Sequence, residues 1–146
     1  MLVTADQLFC HAIGDYVLQS DYMAETKTKK SIAAFMHAFS YSLCFVFLTQ
    51  STPALLLIFS SHFIIDRWRL ARYICWAKNF LAPKHIEVVS VEQTDSKVKL
   101  IRNLPWKDCT ATGYSPGKPL WMSVWLMIVC DNCLHVLFNA VAIKYL

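Results

Sequence analysis

Residues Ser31–Thr49 read SIAAFMHAFSYSLCFVFLT, without a single Asp, Glu, Lys or Arg. A run of that length approaches the ~20 residues that carry a helix across the hydrocarbon core of a bilayer. A surface helix of a soluble bundle would show a polar stripe along one side, whereas this one offers only hydroxyls and one histidine. The stretch reads as a membrane span. Working outward, Pro53–Ile65 (PALLLIFSSHFII) and Leu120–Val141 (LWMSVWLMIVCDNCLHVLFNAV) are almost as poor in charge. The whole chain is 56% hydrophobic and 16% charged, against about 25% charged residues in soluble domains.

Four helical segments are expected, Thr4–Ala24, Ser31–Thr49, Pro53–Ala77 and Pro119–Ala142. Pro53 suits a first helical turn, where a missing N–H costs little. The first segment is the least apolar. Leu8, Ile13, Tyr16, Val17 and Leu18 alternate there with Asp6, His11, Asp15 and Gln19, so the other helices or the interface must shield it. MLVTADQLFCHAIGD lacks the basic and apolar regions of a cleavable signal, so this segment is expected to stay in the mature protein. Between the last two helices, Lys78–Lys118 is the extramembrane loop. Within it IEVVSV (Ile86–Val91) and KVKLI (Lys97–Ile101) have strand character, and EQTDS between them reads as a turn. The predicted fold is one all-α domain, a four-helix transmembrane bundle with a cytoplasmic loop that holds a short β-hairpin.

Charge sets the topology. Of 14 Lys and Arg residues, all but Lys144 fall in or beside the loops after the first and third segments. The positive-inside rule places both loops in the cytoplasm and both termini outside, in a multi-pass membrane protein. Trp68, Trp76, Trp106, Trp121 and Trp125 near the expected span ends fit an aromatic belt. Six scattered cysteines suit small buried hydrophobes better than disulfides, and the C-x-x-C of Cys130–Cys133 lies mid-helix without a companion pair. His85 reads as a surface loop residue. No Gly-rich phosphate loop and no G-x-S-x-G occurs, and the basic residues fit a membrane face better than nucleic acid.

The chemistry is concentrated in three i,i+4 pairs. Asp15, Asp66 and Asp131 each have a histidine four residues away, His11, His62 and His135, and side chains at that spacing share a helix face. His37 adds a ligand from the remaining helix. His11, Asp15, His37, His62, Asp66, Asp131 and His135 are the candidate metal ligands. Four imidazoles and three carboxylates exceed the needs of one ion and suit a two-metal site in a helical bundle. The mixed ligand set points to Zn, Mn or Fe. Asp15, Asp66 and Asp131 are also candidate catalytic groups, as general base or as partner of a ligand histidine. Gln19, Asp21, Lys27, Arg67 and Arg69 are candidate substrate contacts, the basic ones for a lipid phosphate at the cytoplasmic interface. Two blander accounts stand beside this one: His–Asp pairs that glue helices together, and a proton or ion pathway.

The strings HAIGDYVLQSDYMAETK (His11–Lys27), SSHFIIDRWR (Ser60–Arg69) and DNCLHVLFN (Asp131–Asn139) resemble a family of small integral-membrane proteins of bacteria and phages, a domain of unknown function. Its pattern is H-x-x-G-D-[FY]-x-x-Q-[ST], a lone His in the second helix, H-x-x-x-D in the third and D-x-x-x-H in the last. Here those positions are His11, Gly14, Asp15, Gln19, His37, His62, Asp66, Asp131 and His135. The pattern is also loosely similar to membrane-bound metal-dependent hydrolases. Together these imply an intramembrane hydrolase acting on a lipid or lipid-linked phosphate with one or two divalent ions, either alone or as a homo-oligomer. The alternatives are a non-enzymatic phage or bacterial effector that binds a host membrane protein through Lys78–Lys118, and a small proton or ion transport component.

Overall fold

The computed structural model describes residues 2–81, 85–89, 97–101, 105–109, 111–115 and 118–146. The chain divides into two compact units, Met1–Leu70 with Asp131–Leu146, and Ala71–Cys130.

In the first unit, α1 (Ala5–Ala12) opens on a capping box. The Thr4 hydroxyl accepts from the Gln7 N–H, and the Gln7 side chain accepts from the Thr4 N–H. The helix runs on as a π-helical turn, Ile13–Val17, and stops. Ser20 takes an extended backbone and its hydroxyl caps α2 (Asp21–Thr26) by accepting from the Met23 N–H. The continuous helix expected over Thr4–Ala24 is therefore corrected to two, because a Ser side chain offers the backbone a competing partner. α3 (Ser31–Cys44) ends in a tightened turn, Phe45–Phe47, and α4 (Thr52–Trp68) carries Pro53 in its first turn. The expected helix Pro53–Ala77 is also corrected. Arg69 adopts a left-handed conformation, φ 49° and ψ 55°, and ends α4 before α5 (Leu70–Leu81) begins. Arg67 donates to the Thr28 carbonyl (2.7 Å) and the Ser31 hydroxyl (3.2 Å), so the last turn of α4 is tied to the start of α3.

Both α3 and α4 leave large apolar side chains exposed. α3 buries Ala33, Ala34, His37, Ala38 and Tyr41, while Ile32, Phe35, Met36, Phe39 and Leu43 are exposed. α4 buries Ser61, His62 and Asp66 beside Ala54, Ile58 and Ile65, with Leu56 and Ile64 exposed. Small Ala33, Ala34, Ala38 and Ala54 let backbones approach closely, as in membrane helix pairs. Cys10, Tyr41, Phe45, Ala54, Ile58 and Ala142 form a buried core cluster.

In the second unit α5 buries Ala71 and Cys75. Gly113 sits against Cys75 at φ 77°, where a Cβ would overlap the Arg72 carbonyl, and its own carbonyl accepts from Asn79 (2.9 Å). Tyr73 stacks on Trp106, with ring centroids 4.6 Å apart. β1 (His85–Val89) pairs antiparallel with β2 (Lys97–Ile101), in the register His85 opposite Ile101. The EQTDS turn and the His85 side chain lie outside the described residues. α6 (Leu120–Tyr145) supplies its last part, from Asp131, to the first unit. No disulfide joins any of the six cysteines, and Cys10, Cys75 and Cys109 are buried.

Among the described residues α6 is the helix long and apolar enough to cross a membrane; Ser31–Phe47 is apolar but shorter. The run Ala5–Val17 is only about 20 Å long at ~1.5 Å per residue, short of the ~30 Å hydrocarbon core. Among the described residues, four continuous spans are therefore not supported.

Candidate metal centre

Asp15 reaches the interior from the π-helical turn, His37 from α3, and His62 and Asp66 from successive turns of α4. All four are buried. The π turn inserts Gly14 beside Asp15. A Cβ on Gly14 would overlap the Tyr41 ring, so only glycine lets this turn approach α3. π-bulges of this kind recur at functional sites.

The Nε2 atoms of His37 and His62 are 3.0 Å apart. Two imidazole lone pairs at that distance repel unless a proton or a cation lies between them. Asp15 Oδ1 is 3.3 Å from His37 Nε2 and 3.4 Å from His62 Nε2. Ligand atoms ~2.0–2.1 Å from a tetrahedral zinc stand about 3.3–3.4 Å from one another. The Asp15–His37–His62 triangle therefore has the edges of one face of such a coordination sphere. On the other side of the same edge, Asp66 Oδ2 is 3.2 Å from His37 Nε2 and 3.1 Å from His62 Nε2. Two groups could hold an ion, Asp15 with His37 and His62, and His62 with Asp66 and His135, the ligand atoms of each lying within 4.8 Å of one another. Orphaned buried atoms gather at the same place: Asp15 Oδ1, both nitrogens of His135, and Nδ1 of His37 and of His62 make no hydrogen bond. Buried carboxylates without compensating charge are costly. Lys27 provides one positive charge, with Nζ 2.9 Å from Asp66 Oδ2 and 2.7 Å from Gln19 Oε1. These residues fit a divalent cation.

Around the triangle runs a hydrogen-bonded frame. Asn139 Nδ2 donates to the Tyr41 hydroxyl (2.6 Å), and that hydroxyl lies 2.9 Å from His11 Nδ1. His11 Nε2 lies 2.9 Å from Asn132 Oδ1, an acceptor, so Nε2 carries the proton and Nδ1 accepts from Tyr41. Asn132 in turn donates to the Tyr16 hydroxyl (2.8 Å). The Tyr41 ring stacks on His62 with centroids 3.7 Å apart, and His62 stacks on His135 at 4.1 Å.

The expected site residues therefore separate. Asp15, His37, His62, Asp66 and His135 come together. His11 stands beside Asp15 (3.4 Å) with both nitrogens engaged in the frame. Asp131 is 29% exposed and 3.4 Å from His135 Nε2. Of the substrate candidates, Gln19 and Lys27 join the cluster, Arg67 ties the chain before α3 to α4, Asp21 is exposed in the first turn of α2, and Arg69 ends α4. Tyr41, Asn132 and Asn139 were not foreseen. Tyr41 and Asn139 each lie four residues after a site histidine, the spacing that could have found them.

The family described as "Protein of unknown function (DUF3307)" matches residues 3–92. The chain belongs to this family. The segment shared with the family holds Asp15, Gln19, Lys27, His37, His62 and Asp66, while Asp131 and His135 lie beyond it. No curated protein and no solved structure matches the chain.

Proposed function

We propose that the chain is an integral membrane, metal-dependent hydrolase whose ion is held by Asp15, His37 and His62. The observation that carries this reading is the triangle of ligand atoms, 3.0, 3.3 and 3.4 Å on its edges, inside a unit whose exposed faces are apolar. Intramembrane ionisable side chains are costly and mark functional sites. α6, α3 and α4 are the spanning elements of this reading, with Ala5–Val17 entering the bilayer partway. The basic stretches before α3 and after α4 then face the cytoplasm of a bacterial inner membrane and the C-terminus lies opposite.

Three protein ligands leave a coordination position open, and a divalent ion there would act as a Lewis acid and bring a bound water towards neutral pKa. Asp66, with Oδ2 3.1–3.2 Å from the ligand nitrogens, supplies a further carboxylate beside the ion. Lys27, held by Gln19 and 18% exposed, can turn from Asp66 to an arriving phosphate oxygen. His11, Tyr41, Asn132 and Asn139 hold the ligands in place. The substrate class of this reading is a lipid or lipid-linked phosphate, which reaches the site from the membrane.

The test is phosphate release from phosphatidic acid and from a polyprenyl diphosphate in mixed micelles, with Zn, Mn or Fe(II) supplied. Release by the wild type and none by Asp15→Asn supports the assignment. A protein that binds metal yet releases no phosphate from either lipid contradicts the hydrolase. A second reading, proton movement, draws on the hydrogen-bonded chain from exposed Tyr16 through Asn132, His11 and Tyr41 to buried Asn139. It predicts pH-driven flux in liposomes, abolished by Tyr41→Phe.

A further inference from the structure

The first ion position uses one side of the cluster, and the other side is built as well. Asp66 turns its two oxygens to different partners. Oδ2 faces His37 and His62 at 3.2 and 3.1 Å, and Oδ1 faces His135 Nε2 at 3.6 Å. His135 is 1% exposed, and neither of its ring nitrogens makes a hydrogen bond. A buried imidazole in that condition loses the full desolvation cost of its polar atoms, which a fold tolerates when a ligand restores the interaction. On the outer side of His135, Asp131 Oδ2 stands 3.4 Å from the same Nε2. These separations are near the ~3.3–3.4 Å expected between atoms sharing a tetrahedral ion.

We infer that Asp66 is a bridging carboxylate and that His135, with Asp131 beside it, builds a second divalent-cation position next to the first. This rests on the reading that Asp15, His37 and His62 hold an ion. Two ions bridged in this way lie about 3.5–4 Å apart and can clamp both the attacking and the leaving oxygen of a phosphoryl group. The charges agree with it. Asp15, Asp66 and Asp131 bring three negative charges against one on Lys27, so a second divalent ion leaves the centre cationic and ready for an anionic substrate. The stacking of His62 on His135 fixes the two imidazoles side by side, one for each position.

Manganese is the probe. The detergent-purified wild type, titrated with Mn(II), binds about two equivalents, and its electron paramagnetic resonance spectrum is broadened by coupling between neighbouring ions. His135→Ala then binds half as much and returns the resolved hyperfine pattern of an isolated Mn(II), with the Asp15–His37–His62 position still filled. A wild type that binds a single equivalent with the isolated pattern, unchanged in His135→Ala, overturns the second position and leaves the first standing. A wild type that binds no metal overturns both. Should His135→Ala not fold, the wild-type spectrum decides alone: coupled supports the bridge and isolated refutes it.

Discussion

Replacing Gly14 by alanine adds one methyl group, and the structure indicates where its effect goes. The new Cβ overlaps the Tyr41 ring, and Tyr41 is fully buried. The ring cannot turn aside freely. Its hydroxyl is held by Asn139 and His11 at 2.6 and 2.9 Å, and the ring stacks on His62. Relieving the overlap needs a shift of about 1 Å, and forced overpacking of a filled interior costs about 1–3 kcal/mol. The same displacement reaches His62, whose Nε2 belongs to two edges of the proposed coordination triangle. Disturbing the groups that orient metal ligands typically costs about 10–100-fold in metal affinity. Gly14→Ala should therefore lower thermal stability in detergent and weaken Zn binding by at least tenfold. Isothermal titration of the purified variant measures the affinity, and a melting curve the stability. Wild-type values for both would refute the claim that the π turn and Tyr41 set the position of His62.

Other substitutions read other parts of the frame. Tyr41→Phe removes the donor to His11 and the acceptor of Asn139, leaving two buried groups unpaired at about 1–3 kcal/mol each; unchanged melting would show that water replaces the hydroxyl. Lys27→Met leaves Asp66 buried without its cation, a loss of at most about 3 kcal/mol given the partial solvation of the lysine. Because a bound divalent ion supplies the missing charge, that loss should shrink when the variant is melted with Zn present, and an equal loss with and without metal would argue that no ion contacts Asp66. Metal binding should also weaken in acid, since only neutral histidine and ionised carboxylate are ligands. Affinity that stays flat as pH is lowered from about 8 to about 3 would exclude His37 and His62 as ligands.

The i,i+4 arithmetic located the interior faces, and for His62 and Asp66 it also located the site, because one straight helix fixes their relation. His11 and Asp15 obey the same spacing with a different result. The partners that engage both nitrogens of His11, Tyr41 and Asn132, come from 30 and 121 residues away, and no local pattern carries that information. The left-handed Arg69 had no signal either, since glycine usually marks such a position and RWRLAR contains none. The break after the π turn was legible in part, as Ser20 followed by Asp21 is a helix-start pattern placed inside an expected helix. Composition spoke clearly for apolar exteriors: Phe35, Phe39 and Leu43 on α3 face outward, while His37 and Tyr41 face in. Length was less well read, because neither Leu18–Gln19 nor Arg69–Leu70 contains the Gly or Pro that usually marks a helix end.

The central claim is that Asp15, His37 and His62 together bind a divalent ion, and metal content measures it most directly. Elemental mass spectrometry on detergent-purified wild type is compared with Asp15→Asn and with His37→Ala, His62→Ala, after incubation with Zn, Mn and Fe(II) in turn. Bound metal in the wild type, lost from both variants while their helical circular dichroism is kept, is the predicted result. A wild type that holds none of the three ions, or variants that hold as much as it does, would contradict the account.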